Sequence, residues 1–424
     1  MTHGTFTDLA PLLPWPRAFT SVPGAEPERS RSTLARLAND VWATVRLLAA
    51  SALDVPGFEA KLAIGEALHA LTEVAASVEE RTAELGRRTA PADRAPGTGT
   101  RSRLAAALSS PAGARLAAMP DDWLRPLLGT FGSAAFDPLL DGPSERVRRR
   151  ALLDMGDAFT WFFEAEGRLA EAAGEAPPAP GASGSPASQA SCSPAPRASG
   201  SLSRPTMGVR DARFRTFEHT RDYRKAADWR CSASEYEDDL IELLRVNRDE
   251  IDALETFALA LFDLVEEAPL EALRHLARLA WDEARHAAIG HTLLAERGVD
   301  PYGYECSMIG IRVRGAMSGW DAWTQITLFG ELGIIGPMRA LVREAQKRGD
   351  DRVAAAFGFV CRDETMHLHD SRRLLAEHHP LGDLSAAGER ARAHAGRTLQ
   401  ELGLFEAEQF EKLDGRQIFE LLGE

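Results

Sequence analysis

The chain has 424 residues, of which 44% are hydrophobic and 26% charged, and its formal net charge is −14. This composition is typical of a globular protein that buries a core without disulfide staples, and the length favours two or three domains. The acidic balance excludes wholesale nucleic-acid binding, which requires a basic footprint.

The first part of the chain, residues 1–173, has helical periodicity. It predicts helices over residues 32–51, 57–87 and 144–173, separated by a less regular apolar region. We expect a helical bundle that is either structural or a degenerate copy of the second half. It contains the segment Glu66-Ala67-Leu68-His69, but no second Glu-x-x-His. A structural or docking role is therefore favoured for it.

Residues 174–206 are almost entirely Ala, Pro, Gly and Ser. Such a composition cannot bury enough apolar surface to offset the entropy lost on ordering. It predicts a disordered linker between two domains.

The helical periodicity of the second part, residues 207–424, predicts an all-α domain that contains a four-helix bundle. The periodicity indicates helices over residues 232–267, 269–297, 320–347, 352–378 and 385–403. Pro269 is a helix-opening residue and Gly298 a helix-ending one. Residues 299–318 have no helical period, and a connection this long fits a crossover that runs along the bundle.

Two segments of this domain read Asp-Glu-x-x-His: Asp282-Glu283-Ala284-Arg285-His286 and Asp363-Glu364-Thr365-Met366-His367. Each is preceded, at the same interval, by a glutamate in an otherwise apolar helical stretch, Glu250 and Glu331 respectively. Residues three apart share one helical face, so each motif presents a carboxylate and an imidazole together.

Two such pairs plus one glutamate from each of two further helices make the ligand set of di-iron and di-manganese four-helix bundles. The predicted metal ligands are Glu250, Glu283, His286, Glu331, Glu364 and His367. Carboxylates with neutral imidazoles suit iron or manganese, and we expect two iron ions, with an iron–manganese pair as the alternative. Antiparallel folding should bring Glu250 near Glu283 and His286.

The aspartates of the two motifs are predicted to support the histidines across the bundle. Metal-bound imidazoles usually donate their second N–H to a carboxylate. We expect Asp282 to reach His367 and Asp363 to reach His286. Arg285 is expected to form an ordinary ion pair.

Two features of the sequence allow more than one interpretation. Glu255 also lies on a partly apolar stripe, so it is an alternative to Glu250 as the ligand from the first helix. Glycines and Pro337 surround Glu331, and glycine costs about 1 kcal/mol relative to alanine inside a helix. They indicate either close packing or a kink or π-helical turn beside the site.

Residues 250–367 resemble the ferritin-like di-iron carboxylate superfamily. The first motif is similar to the Asp-Glu-x-Arg-His signature of the bacterial multicomponent monooxygenase hydroxylases. The resemblance implies that the six ligands bind the metals and that Asp282 and Asp363 support the histidines. Departures from the pattern, such as Val360 where arylamine N-oxygenases have a further ligand histidine, leave the branch unassigned.

The expected function is that of a non-haem di-iron oxygenase or oxidase, with dioxygen as co-substrate and a small organic molecule as substrate. One alternative is a ferroxidase-type protein that handles iron or peroxide. Another is a non-enzymatic helical interaction protein with a relic metal site. No catalytic residue beyond the metal ligands and no organic cofactor is predicted.

The remaining patterns concern location and partners. The first ten residues lack the features of a secretory signal, and no apolar run is long enough to cross a membrane, which predicts a cytoplasmic protein. The four cysteines are scattered, so neither a disulfide framework nor an iron–sulfur centre is indicated. We therefore expect a separate electron donor.

Overall fold

A computed structural model describes residues 26–86, 88–175, 202–205, 207–217, 236–330 and 335–401. The described chain is predominantly helical, which confirms the expected all-α class. Its two three-residue strands, β1 (Arg215–Phe217) and β2 (Glu305–Ser307), pair in parallel. No described helix combines the length and apolarity needed to cross a membrane.

The first part of the chain begins with two long helices whose buried faces are rich in Leu, Val and Ala. A predicted helix over residues 144–173 proves to be two helices that meet at Phe159. The helices are α1 (Pro27–Asp54), α2 (Phe58–Glu84), α3 (Thr98–Ser109), α4 (Ala112–Met119), α5 (Arg125–Ser133), α6 (Gly142–Ala158) and α7 (Thr160–Glu175), with a 3₁₀ turn at Pro91–Arg94 and a π-helical turn at Pro120–Leu124.

The second part contains the remaining helices. They are α8 (Tyr236–Asp249), α9 (Ile251–Leu264), α10 (Leu270–Glu296), α11 (Ile309–Gly315), α12 (Gly319–Gln325), α13 (Ile335–Arg348), α14 (Asp351–His378) and α15 (Leu384–Glu401). Helix α10 follows Pro269, and Gly298 beyond its end has a φ of +73°, as the sequence predicts. The connection over residues 299–318 contains β2 and α11, which the sequence analysis did not predict.

The prediction of a single helix over residues 232–267 is wrong in one respect, because the structure has two separate helices there, α8 and α9. The break is at Glu250, whose ψ is −4° and whose backbone N–H bonds the carbonyl of Asn247, three residues back, at 3.2 Å. The residues around the break, 245–252, contain neither Gly nor Pro, so the sequence has no helix-breaking residue that marks it. The predicted start of this helix lies outside the described residues.

The helix predicted over residues 320–347 is also irregular. A π-helical turn, Ile326–Gly330, follows α12 directly. Residues 331–334 are not described, so Glu331 and Gly333 lie outside the part of the chain that the structure covers. A π-helical turn, one of the alternatives that the glycine-rich stretch left open, is therefore present just before Glu331.

The hydrophobic core does not divide where the domain limits were predicted. One cluster of buried side chains includes Leu47 and Leu68 of the first part and Leu261 and Leu276 of the second. Helix α1 packs on α9, and α2 packs on α10. A Cβ at Gly65 would lie 2.8 Å from the Cβ of Ala284, so α2 and α10 approach each other closely there. The limits at 173 and 206 stay predictions, but the two parts share one core.

Buried cations also join the two parts. Arg94 donates to the carbonyls of Val265 and Ala268 just beyond α9, at 3.3 and 2.7 Å. Lys61 on α2 pairs with Glu255 on α9 and donates to the carbonyl of Val209 at 2.8 Å. These contacts satisfy backbone groups and charges that would be costly to bury alone.

Most of the predicted linker, residues 176–201 and 206, lies outside the described residues. Of the four cysteines, Cys306 and Cys361 are described, and both are buried free thiols.

Candidate metal centre

Four of the predicted ligands converge at one buried point. One ligand atom from each of Glu250, Glu283, His286 and Glu364 can be chosen so that all lie within 4.8 Å of one another. His286 Nδ1 lies 3.2 Å from Glu250 Oε2, 3.4 Å from Glu283 Oε2 and 3.1 Å from Glu364 Oε1. The two motifs are therefore neighbours in space.

The fifth predicted ligand, His367, completes the described part of the cluster. Its Nδ1 lies 3.2 Å from Glu283 Oε1 and 3.5 Å from Glu364 Oε2. The rings of His286 and His367 are 5.8 Å apart between centroids. Each histidine thus contacts the glutamate of its own motif and the glutamate of the other motif.

Three helical segments position these side chains. Glu250 lies at the break between α8 and α9, and the two motifs lie on the central turns of α10 and α14. Helix α10 packs against α8, α9 and α14, so its motif faces all three. The sixth predicted ligand, Glu331, lies outside the described residues, and its role stays a prediction.

The two aspartates lie where the sequence analysis expected them. Asp282 Oδ2 is 3.2 Å from His367 Nε2, and Asp363 Oδ2 is 3.4 Å from His286 Nε2. Each aspartate therefore contacts the histidine of the opposite motif. This crossed arrangement ties α10 to α14 on both sides of the cluster.

Two arginines cover the outer side of the aspartates. Arg278 donates to Asp282 at 2.7 Å, and Arg285 bonds Asp282 and lies 3.3 Å from Asp363. Arg285 thus forms an inter-helix ion pair that links both aspartates. Sequence reasoning missed Arg278, although its position four residues before Asp282 is the spacing of a helical ion pair.

Electrostatics in the cluster are dominated by burial. Burial raises the pKa of Glu250 to about 8. Burial opposes ionisation of Glu364 too, but the charge on His367 and contacts with both imidazoles lower its pKa to about 2. For His286, burial opposes the charge, yet the hydrogen bond with Asp363 and the neighbouring carboxylates raise its pKa well above the usual value. These shifts favour the protonated forms of Glu250 and His286, and a divalent cation that binds such ligands releases protons.

The orientation of the imidazoles indicates how such a cation fits. The Nδ1 atoms of His286 and His367 are buried, and neither has a hydrogen-bond partner. Both face carboxylate oxygens, while Nε2 of each ring faces an aspartate. An imidazole that donates from Nε2 to a carboxylate presents the lone pair of Nδ1, which is the arrangement that metal-bound histidines use. The donor set of carboxylate oxygens and imidazole nitrogens suits iron or manganese.

The structure separates Glu250 from the alternative ligand Glu255. Glu255 is fully buried, and it pairs with both Lys61 and Arg210, which are themselves almost completely buried. Glu250 is instead held by Asn247, whose Nδ2 donates to Glu250 Oε2 at 2.9 Å. Asn247 was missed by the sequence analysis, although it lies three residues before Glu250. The geometry therefore favours Glu250 as the ligand.

The third Glu-x-x-His segment has a different environment. Glu66 is exposed, and His69 stacks on Trp281 with ring centroids 4.7 Å apart and an interplanar angle of 8°. Trp281 also lies under the guanidinium groups of Arg278 and Arg285. His69 thus contributes to the packing of α2 on α10, in keeping with a structural or docking role.

Comparison of the chain with protein-family models, with curated proteins and with solved structures gives no significant match.

Proposed function

We propose that this cluster holds two metal ions, iron or iron with manganese, and that the protein is a non-haem oxidoreductase that uses dioxygen to oxidise a small organic substrate. The observation that carries the proposal is the pair of buried Nδ1 atoms, each facing two or more carboxylates while its Nε2 faces an aspartate. Metal-bound histidines almost always donate their second ring N–H to a carboxylate, a carbonyl or water, and both histidines have this arrangement.

Glu250, Glu283, His286, Glu364 and His367 would hold the ions, and we propose Glu331 as the sixth ligand. When bound, the metal pair supplies an oxidant derived from dioxygen. The remaining residues position the ligands. Asp282 and Asp363 fix the tautomers of the histidines, and Arg278 and Arg285 offset the charge of those aspartates.

Burial of the cluster serves the same chemistry. Glu283, Glu364, His286 and His367 have at most 2% of their surface exposed, so the ligands are shielded from bulk water. Exclusion of water strengthens electrostatic interactions within a site and limits side reactions of an oxidant. We propose a separate protein as the source of electrons.

The test is anaerobic loading of the full chain with ferrous iron, alone or together with manganous ion, followed by metal analysis and by measurement of oxygen consumption. We expect two metal ions per chain and oxygen consumption that yields a modified organic molecule when substrate and an electron donor are present. A chain that binds no iron or manganese under these conditions would refute the proposal.

The same experiment separates the alternatives given by the sequence. Sustained oxygen uptake driven by ferrous iron alone, with oxidised iron as the product, identifies a ferroxidase-type protein. Purification without metal and failure to take it up identify a non-enzymatic interaction protein.

A further inference from the structure

A row of buried, hydrogen-bonded side chains lies one helical turn from the candidate ligand His367. Ser371 follows His367 by four residues on α14 and is fully buried. The indole Nε1–H of Trp323 on α12 donates to Ser371 Oγ at 3.1 Å. On the other side, Ser371 Oγ lies 2.8 Å from Nε2 of His275 on α10. Three helices thus meet at one hydroxyl group.

These groups can form a continuous path for a proton. An indole N–H can only donate, and a hydroxyl group can accept one hydrogen bond while it donates another. Burial lowers the pKa of His275 to about 3, so its imidazole is neutral and one ring nitrogen can accept. The two hydrogen bonds therefore run from the indole N–H of Trp323, through the hydroxyl group of Ser371, to the imidazole of His275.

A second tryptophan extends the aromatic part of this cluster towards the surface. Trp320 stacks on Trp323 with centroids 5.8 Å apart and an interplanar angle of 23°. On its other side, Trp320 contacts His379, whose Nε2 lies 3.4 Å from the partly exposed Arg390. Trp323 is fully buried, whereas 6% of Trp320 is exposed. The two indoles thus form a short path from the neighbourhood of His367 outwards.

We propose that Trp323 and Trp320 form a redox relay, in which Trp323 gives one electron to the oxidised metal site and its indole proton passes through Ser371 to His275. The relay rests on the proposed function, because that function supplies the oxidant.

The electron count explains when the relay acts. Conversion of dioxygen to water requires four electrons, and two ferrous ions supply two of them. When no organic substrate is present, two electrons are missing: Trp323 supplies the third, and it supplies the fourth by the same route once Trp320 has reduced the Trp323 radical. Trp323 loses one electron to the site and the proton from Nε1, which leaves a neutral indolyl radical and an imidazolium at His275.

Return of the relay to its starting state is also balanced. Trp320 gives one electron to the Trp323 radical, which recovers its proton from His275 through Ser371. A small one-electron reductant in solution, such as ascorbate, then reduces the oxidised Trp320. The relay therefore moves an oxidising equivalent away from the ligands and towards the surface.

The experiment uses the full chain loaded anaerobically with ferrous iron. The protein is mixed with oxygenated buffer without organic substrate, freeze-quenched at a series of times and studied by electron paramagnetic resonance. Iron content and the loss of ferrous iron are measured on the same samples. We expect an organic radical whose signal narrows when the tryptophans carry a deuterated indole, and which ascorbate removes.

Variants assign this radical. Trp323→Phe should abolish the signal while iron binding and iron oxidation persist. Trp320→Phe should prolong it, because the next donor is missing, and Ser371→Ala should lower its yield severalfold. The matched control is Trp161→Phe in the first part of the chain, which should leave the signal unchanged. The Ser371 variant keeps the test valid if Trp323→Phe does not fold.

The outcomes distinguish the relay from the function on which it rests. If iron binds and is oxidised but no tryptophan radical forms, or if the signal survives in Trp323→Phe, the relay is wrong and the metal centre stands. If the chain binds no iron, both proposals fall.

Discussion

Two glutamates in one stretch of chain, the partly buried Glu250 and the fully buried Glu255, differ in how their charge is offset. Glu255 is paired with a buried lysine and a buried arginine. Glu250 has an amide on one side and, on the other, an imidazole that it shares with two more glutamates. The side chain of Glu250 is 13% exposed and that of Glu255 fully buried, and the protein supplies a lysine and an arginine to Glu255 but a shared imidazole to Glu250.

The difference teaches that burial alone does not identify a metal ligand. An isolated buried carboxylate is costly, and the cost is offset by a paired cation, by protonation or by a metal ion. Around Glu255 the balance is complete within the protein. Around Glu250 burial raises the pKa of the carboxyl group to about 8, which favours its protonated form. Charge balance, rather than depth, separates a structural carboxylate from a candidate ligand.

The largest expected effect is on metal binding by the glutamate cluster. Glu364→Ala should reduce iron content to near zero while the helices stay folded, because Glu364 contacts both histidines. Metal analysis and circular dichroism measure the two properties. Glu377→Ala, an exposed position on the same helix, is the control and should bind iron normally. Full metal content in Glu364→Ala would contradict the assignment.

The opposite result is expected for the paired carboxylate. Glu255→Ala leaves Lys61 and Arg210 buried without their main partner, which should lower the free energy of unfolding by about 3–5 kcal/mol. Iron content per folded chain should be unchanged. Urea unfolding monitored by circular dichroism gives the stability. Loss of iron from folded Glu255→Ala would place Glu255 among the ligands instead.

A smaller effect is expected from the aspartates that face the histidines. Asp282→Asn or Asp363→Asn should weaken metal affinity by about 10–100-fold, as is typical when a carboxylate that orients a ligand histidine is changed. Competition with a chelator of known affinity measures the change. Asp370→Asn, which contacts the exposed His369 on the same helix, should have normal affinity. Equal affinities in all three variants would show that the aspartates do not support the ligands.

The smallest expected effect is a change in stability that arises from the packing of α2 against α10. Gly65→Ala places a methyl group 2.8 Å from the Cβ of Ala284 and 3.0 Å from the carbonyl oxygen of Ala280, and overpacking of this kind costs about 1–3 kcal/mol. The midpoint temperature of thermal unfolding measures this loss of stability. Gly156→Ala, where the added methyl group meets nothing within 4 Å, should instead stabilise α6 by up to about 1 kcal/mol. Destabilisation of similar size in both variants would mean that the contact with α10 is unimportant.

Much of the candidate site could be predicted because its signals are local. The spacing within each motif fixes which side chains share a helical face, and Pro269 and Gly298 mark the ends of α10. The crossed contacts of Asp282 and Asp363 also follow from the packing of two such helices side by side.

The features that could not be predicted depend on distant parts of the chain. Lys61 is the partner of Glu255, but nothing local to either residue indicates the pairing. The shared core depends on how closely α2 fits against α10 at Gly65, which helical periodicity does not report. The break at Glu250 is not marked by a Gly or Pro in residues 245–252. Glu331 is still assigned by spacing alone.

The shared core has a consequence for how the polypeptide becomes a protein during translation. Helix α2 leaves the ribosome roughly 200 residues before α10, which at ~5–20 residues per second corresponds to a delay of about 10–40 s. Throughout that delay the face of α2 that contains Gly65 and His69 lacks its partner α10. The first half therefore emerges with apolar surface that the second half later covers, and we expect the nascent chain to bind chaperones until α10 has been synthesised.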